Sequence, residues 1–233
     1  MRTGRIAAVA LVAVALLAGC ANTVSGTAVR PADIVPADVP PLSDTHLAEV
    51  LLTIGELNGI VGSTRMTITS DVEEMTDHSG AVSDPACLGA MFGAEEPVYA
   101  DSDWTTMRDQ VAREPGEGNE HWVEQTAVLY PSEREARRFF DSARAMWDTC
   151  SGIELTVDDG VVHSVWDMES VIADGSLLTQ MSVQRDADGW ACQHALSAVS
   201  NLTVEAWACA FTLADEAATM ATEMVANAAE AVR

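Results

Sequence analysis

Two segments of the chain repeat their hydrophobic residues with the 3.6-residue period of an amphipathic α-helix. The first begins at residues 132–135, where Ser132 and Glu135 match the spacing of a capping box. Its apolar positions are Ala136, Phe139, Phe140, Ala143, Met146, Trp147 and Cys150. The second covers about residues 213–232, and its apolar positions are Leu213, Ala217, Met220, Met224, Ala228 and Ala231. Both stripes predict helices that pack one face against a core.

Two further helices are predicted from start and stop signals. Ser43 or Asp44 can cap a helix that runs through Leu57, with Gly62 beyond its end. Asp84-Pro85 places a cap and an early proline before a short helix that carries Cys87.

Between these segments the pattern changes to the two-residue alternation of β-strands, interrupted by turn residues. The predicted strands cover residues 66–72, 105–113, 122–130, 161–168 and 176–185, with a further pair between 190 and 211. The order of helices and strands predicts a single α+β domain, in which helices pack on an antiparallel sheet.

The N-terminus has the pattern of a secretory signal. Arg2 and Arg5 precede an apolar run over residues 6–18 that is shorter than the roughly 20 residues of a transmembrane helix. The run ends at Leu17-Ala18-Gly19-Cys20, which resembles the bacterial lipobox, in which the Cys is acylated. We therefore expect a signal peptide at residues 1–19, a lipidated Cys20 with a flexible tether over residues 20–42, and a domain over residues 43–233. An ordinary signal peptide with a bystander Cys20 is the alternative.

The charge of the chain limits its partners. The formal net charge is −24, and removal of Arg2 and Arg5 with the signal makes it more negative. Nucleic acid is therefore not an expected partner, and anionic lipid headgroups repel the domain. An acyl chain on Cys20 would have to hold the protein on the extracytoplasmic face of the cell membrane.

Four cysteines remain besides Cys20, and an even number in an exported chain predicts two disulfides. Ser200-Asn201 is a plausible two-residue turn, so that Cys192 and Cys209 stand opposite each other at a non-hydrogen-bonded site of a hairpin. That site predicts the bridge Cys192–Cys209 and leaves Cys87 to pair with Cys150. Zinc is the competing use of four thiols, but the Cys spacings do not suit a closed zinc site.

The sequence offers little evidence of catalysis. It has no Gly-x-Ser-x-Gly elbow, phosphate loop, dinucleotide fingerprint or His-Glu-x-x-His motif. We expect no catalytic residue, no metal and no cofactor. Glu124 and Gln125 follow Trp122 on a predicted strand and point to opposite faces, so one of them could line a cleft. Tryptophan platforms beside carboxylates and amides can bind sugars or other exported metabolites, although core packing is the competing interpretation.

Several segments resemble the PknH-like extracellular domain family, the sensor domain of a mycobacterial Ser/Thr kinase that also occurs in stand-alone lipoproteins. The segments that carry the resemblance are residues 84–90, 104–115, 123–132 and 189–209, including Trp190-Ala191-Cys192-Gln193 and the strand with Glu124-Gln125. The resemblance covers about residue 47 to the C-terminus. It implies an α+β domain with a deep central cleft, no catalytic residues, and the pairs Cys87–Cys150 and Cys192–Cys209.

The resulting functional hypothesis is a lipid-anchored envelope protein whose domain binds an unknown small molecule. We expect the cleft to be lined by Tyr99, Trp104, Arg108, Glu124 and Gln125. One alternative is an accessory that binds an envelope protein, such as a receptor kinase with the same domain. Another is a hydrolase that uses a carboxylate pair, although no spacing in the sequence selects the pair.

Overall fold

Nine antiparallel strands form one sheet at the centre of the molecule, in the order β1-β2-β3-β9-β8-β7-β5-β4, with β6 paired to β7. The structure is a computed structural model that describes residues 39–116 and 119–233. The predicted signal peptide, Cys20 and most of the tether lie outside the described residues. The strands are β1 (Thr67–Val72), β2 (Thr106–Arg113), β3 (His121–Leu129), β4 (Glu154–Asp158), β5 (His163–Met168), β6 (Ile172–Asp174), β7 (Leu177–Gln184), β8 (Ala191–Val199) and β9 (Leu202–Ala210).

Helices cover both faces of this sheet. They are α1 (Leu47–Val50), α2 (Ile54–Val61), α3 (Leu88–Met91), α4 (Glu96–Tyr99), α5 (Glu133–Thr149) and α6 (Glu216–Ala231), with 3₁₀ turns at Asp44–His46 and Pro85–Cys87. Helices α1, α2 and α6 bury one apolar core against the sheet, and α3, α4 and α5 bury a second core on the other face. This arrangement confirms the predicted α+β class. No helix within residues 39–116 and 119–233 has both the length and the apolarity to cross a membrane.

The central hairpin, β8 and β9, has the predicted register. Val199 pairs with Leu202 across the turn at Ser200-Asn201, and Cys192 pairs with Cys209. Their Cα atoms are 4.0 Å apart and the two sulfurs are bonded. The second disulfide joins Cys87 to Cys150, the residue after α5. Both predicted bridges are therefore present.

The N-terminal helix is broken where the sequence predicts one continuous helix. Leu51 has an extended backbone, and Thr53 then caps α2 in a capping box with Glu56. Leu52 N donates to Gln125 Oε1 at 2.8 Å, and Gln125 Nε2 donates to Leu52 O at 2.9 Å. The helix breaks here because the backbone N–H and C=O of Leu52 bond to the Gln125 side chain of β3 instead of to backbone groups of a helix.

Three smaller differences are local. Strands β4 and β6 are absent from the prediction, because each is short and carries little alternation. At the start of α5 the Ser132 hydroxyl donates to the Glu135 carboxylate and makes no side-chain bond to a backbone N–H. The predicted capping box is therefore not formed, and a bond between the two side chains takes its place.

Candidate functional site

A cleft of about 690 Å³ opens on the sheet face that carries α3 and α5. Its floor is formed by residues of β1, β2, β3, β8 and β9, and two loop segments, around residues 74–78 and 91–95, form its walls. Four of the six tryptophans line it, namely Trp122, Trp166, Trp190 and Trp207. Four carboxyl residues also line it, namely Glu74, Glu95, Asp109 and Glu124. The site therefore combines aromatic walls with acidic groups.

Cross-strand pairing places the floor residues side by side. Asp109 pairs with Thr126, and Thr126 pairs with Glu205 on the next strand. The adjacent row runs from Glu124 to Trp207 and then to His194. Because side chains alternate between the two faces of a strand, these residues all project onto the cleft side of the sheet.

Asp109 and Glu124 form a carboxyl pair at the floor. The Thr126 hydroxyl donates to Asp109 Oδ1 at 2.6 Å. Burial raises the pKa of Asp109 to about 6, although hydrogen bonds from Thr126 and Glu124 oppose the rise. Burial, and then the nearby charge of Asp109, raise the pKa of Glu124 well above its ordinary value. A hydrogen bond between two carboxyls requires one proton, so at neutral pH Glu124 holds the proton and Asp109 carries the charge.

Glu205, on β9, stands in the same cross-strand row as Asp109 and Thr126 and is 4% exposed. Burial raises its pKa to about 7, although the N–H of Ala94 donates to Oε2 at 3.2 Å and favours the charged form. Glu95 is a further buried acid at the cleft; its side chain accepts from the N–H of His78 at 2.7 Å and contacts the His78 Nδ1 at 2.5 Å. These contacts join the two wall segments, because Glu95 and His78 belong to different loops.

Three aromatic rings are in contact at the floor and beneath it. The ring of His194 lies between Trp207, at 4.0 Å between centroids, and Trp147, at 4.1 Å. His194 is fully buried, and burial lowers its pKa well below the ordinary value, so the imidazole is neutral. Trp147 Nε1 donates to Gly89 O at 2.8 Å. In contrast, Trp207 Nε1 is buried and has no hydrogen-bond partner among the described residues.

Gly93 brings the backbone close to this floor. A Cβ atom added to Gly93 would lie 3.3 Å from Glu124 Oε1 and 3.4 Å from Trp207 Nε1. A side chain at this position would therefore crowd the carboxyl group and the indole N–H.

The sequence profile described as the PknH-like extracellular domain matches residues 42–228. The chain belongs to the PknH-like extracellular domain family.

Individual relatives agree with this assignment. The chain is 30% identical over 198 residues to the Ser/Thr protein kinase PknH of Mycobacterium tuberculosis, across 85% of this chain and 31% of the kinase. It is 31% identical over 185 residues to PknH of Mycobacterium bovis, across 79% of this chain and 31% of the kinase. The crystal structure of the extracellular domain of PknH from Mycobacterium tuberculosis has a TM-score of 0.79 and 29% identity, and the match covers 83% of this chain and all 100% of that one. The chain thus spans about a third of the length of the curated kinases.

Only one of the five side chains predicted to line the cleft of this PknH-like domain does so. Glu124 lies at the cleft floor. Tyr99 is buried against Phe139, with ring centroids 4.1 Å apart, and Trp104 packs at the edge of the same core. The structure does not bring these three side chains together around one cavity.

The other two predicted residues point to the opposite face of the sheet. Arg108 makes a two-pronged ion pair with Asp71, at 2.9 and 2.7 Å. Gln125 is fully buried under the broken N-terminal helix, where it bonds Leu52. The sequence prediction that Glu124 and Gln125 face opposite sides matches the structure.

Sequence reasoning missed Asp109, the partner of Glu124. The signal that could have found it is strand alternation: Asp109 and Val111 share one face of β2, and their cross-strand neighbours are Thr126 and Glu124. The register could not be read from the sequence, because the connection between β2 and β3 is longer than a two-residue turn. In the described residues no cluster of three or more His, Cys, Asp or Glu could hold a metal ion.

Proposed function

We propose that this protein is a non-catalytic, ligand-binding domain of the sensor type, held on the extracytoplasmic face of the cell membrane by a lipid on Cys20. The observation that carries the proposal is the cleft of about 690 Å³. Its size falls in the range of about 300–1,000 Å³ that is typical of small-molecule sites. Apolar walls with a few buried polar groups are also typical of such sites.

The scaffold supports this use. The cleft floor consists of paired central strands, and the disulfide Cys192–Cys209 is itself part of the lining. A rigid floor lowers the cost of ordering the site when a ligand binds. The extracellular domain family supports an extracytoplasmic position for the domain.

Ligand binding is tested with the domain over residues 39–233. Both cores and both disulfides lie within these residues. The extracellular domain of PknH from Mycobacterium tuberculosis has itself been crystallised. Native mass spectrometry of the oxidised domain, exposed to an extract of envelope metabolites, should show a bound mass that leaves on denaturation. The variant Trp207→Ala should lose that mass. A domain that retains nothing and shows no saturable binding contradicts the proposal.

The anchor is tested separately in cells. Wild-type protein should partition into detergent and incorporate an alkyne-labelled fatty acid. Cys20→Ser should abolish the label and release the protein from the membrane fraction. Unlabelled wild-type protein would indicate an ordinary signal peptide instead.

A second candidate function, hydrolysis, is favoured by one observation, the pair of Asp109 and Glu124 that shares a proton. Such a pair can supply a general acid and a general base. This alternative predicts turnover of chromogenic ester or glycoside substrates that Asp109→Asn abolishes. A captured ligand that is recovered chemically unchanged supports binding over hydrolysis.

A further inference from the structure

We propose that the cleft binds an organic cation, specifically a protonated amine with an apolar body and a hydrogen-bond acceptor close to the ammonium group. The inference rests on the proposed ligand-binding function and adds the chemical class of the ligand. It is drawn from the charges, the aromatic walls and an unpartnered N–H at the floor.

The charges that face the cleft are mainly negative. The carboxyl residues are Glu74, Glu95, Asp109 and Glu124, and none of the described residues that line the cleft is Arg or Lys. The nearest basic lining group is His78, whose Nδ1 is already in contact with Glu95. Glu205 and His194 lie just behind the floor, and His194 is neutral. An anionic ligand would find no cation here, whereas a cation would find a carboxylate at Asp109.

The walls favour a cation that also carries apolar groups. Trp122 and Trp190 are partly exposed to the cleft, while Trp166 and Trp207 are buried at its floor and wall. The face of an indole ring attracts a cation within about 6 Å of its centroid, and its surface buries apolar groups. A strongly hydrated inorganic ion would gain little from these walls, and the described residues lack a three-ligand metal cluster.

The unpartnered N–H specifies a third property of the ligand. Trp207 is 3% exposed, yet its Nε1 donates to no acceptor in the described residues. Glu124 Oε1 and Trp207 Nε1 both lie next to the position that a side chain on Gly93 would occupy. A buried donor without a partner costs free energy, which a ligand acceptor recovers. A ligand with an ammonium group near Glu124 and an acceptor beside it would bind both the carboxyl group of Glu124 and the indole N–H of Trp207.

Binding of such a cation should release a proton. In the free protein Glu124 keeps the proton that it shares with Asp109, because its charged form is desolvated and repelled. A cation that enters favours the charged form and lowers the pKa of Glu124, so the proton leaves. Affinity should therefore rise with pH, up to the pKa of the free pair, as long as the amine stays protonated.

The experiment uses four probes of similar size: phenylalaninol, 2-phenylethylamine, 2-phenylethanol and 3-phenylpropionate. Affinities are measured by tryptophan fluorescence and calorimetry, between pH 5 and 8, in buffers with different heats of ionisation. Phenylalaninol should bind best and 2-phenylethylamine next, the neutral alcohol at least about tenfold more weakly, and the carboxylate not at all. Proton release should accompany binding of the two amines only.

Variants separate charge from folding. Asp109→Asn should weaken amine binding by about tenfold or more and leave the alcohol unchanged. Glu124→Gln removes the shared proton, so it should abolish most of the proton release at pH 8, where Asp109, with a pKa of about 6, is already charged. The matched control is Asp141→Asn on α5, which removes one charge at a side chain that is 67% exposed and outside the cleft. It should bind like the wild type.

If the alcohol or the carboxylate binds as tightly as the amines, or if no amine binds, the cation assignment is wrong. The proposed function then still stands or falls on the capture of a mass from envelope extract. Amine binding that Asp109→Asn leaves intact would also overturn the assignment, because the carboxylate would not be its partner.

Discussion

At the scale of the residue, the molecule places polar groups where water cannot reach them. Asp109, Glu205 and His194 are all buried on one face of the central sheet. Two of them are acids whose pKa values rise to about 6 and about 7. Such groups cost stability, and their concentration around a cleft is typical of binding sites.

Glu205 makes stability depend on pH. Its pKa is about 7 in the folded protein, above the ordinary value of 4.5. Between about pH 4.5 and 7 the folded state therefore holds a proton that the unfolded state releases. Protonation of Glu205 stabilises the folded state fully below about pH 4.5, and this stabilisation is lost as the pH rises through 7. Glu205→Gln should raise the free energy of unfolding at pH 8 by on the order of 1–3 kcal/mol and leave it nearly unchanged at pH 4.5. Urea unfolding at both pH values measures this.

The control for this prediction is Glu230→Gln, at an exposed position of α6. It should change stability by less than about 0.5 kcal/mol at either pH. Equal effects of Glu205→Gln at pH 4.5 and pH 8 would contradict the assignment of the titration to Glu205.

Gly93 offers a second test at the residue scale. Alanine there would press on Glu124 Oε1 and Trp207 Nε1 at 3.3 and 3.4 Å. We expect Gly93→Ala to weaken ligand binding about tenfold or more while costing only about 1 kcal/mol of stability, because the side chains can move by a few tenths of an ångström. Gly59→Ala in α2 meets nothing within 4 Å and should stabilise the domain by about 0.5–1 kcal/mol without changing binding. Tight binding by Gly93→Ala would show that this corner is not part of the site.

At the scale of the element, side chains of the sheet hold the N-terminal segment in place. Gln125 bonds the break between α1 and α2. Asn201, in the turn of the central hairpin, likewise bonds the backbone of Leu42, which precedes α1. Its Oδ1 accepts from Leu42 N at 2.7 Å, and its Nδ2 donates to Leu42 O at 3.0 Å and to Tyr130 O at 3.1 Å. One buried residue therefore both forms the hairpin turn and holds the N-terminal segment against the sheet.

Asn201→Ala should be costly for this reason. The substitution leaves one backbone N–H and two carbonyls without these partners, and each lost bond costs about 1 kcal/mol or more when the group stays buried. We expect a loss of about 2–4 kcal/mol in the free energy of unfolding, together with faster proteolysis at residues 39–46. Asn58→Ala also removes three bonds, with Ile54 O, Met66 O and Met66 N, but from a half-buried side chain; it is the comparison and should cost less. An Asn201→Ala protein as stable as the wild type would contradict the anchoring role.

At the scale of the whole molecule, two disulfides lie in the core on the same side of the sheet as the cleft. Cys192–Cys209 closes a separation of 17 residues inside the hairpin, and Cys87–Cys150 closes one of 63 between the α3 region and the end of α5. In the chain-entropy account the longer loop stabilises more, by about 4 against about 3 kcal/mol. The shorter one, however, lies in the cleft lining.

The two bridges should therefore have separable roles. Replacing Cys87 and Cys150 by Ala should lower stability more, whereas replacing Cys192 and Cys209 by Ala should lower ligand affinity more. Thermal unfolding and ligand titration of both double variants, each compared with the oxidised wild type, measure this. The opposite ranking in either assay would contradict the assignment.

The sequence by itself determined the features that depend on neighbours along the chain. These are the apolar stripes of α5 and α6, the strand alternation, and the hairpin register that pairs Cys192 with Cys209. Each follows from a short sequence separation, where backbone geometry fixes the outcome. The expected opposite orientation of Glu124 and Gln125 has the same local origin.

Only the tertiary structure decided which side chains meet in the cleft. Asp109, Glu124 and Trp207 come from three strands, and the wall residues Gly93 and Glu95 come from a loop outside the sheet. Their desolvation, and with it the raised pKa values of the carboxyls, depends on packing between elements rather than on residue order. Arg108 is the converse case: the sequence offers it as a ligand group, but the fold turns it to the other face and pairs it with Asp71. The sequence specified the elements, and long-range packing built the site from them, because burial is a property of the assembled fold.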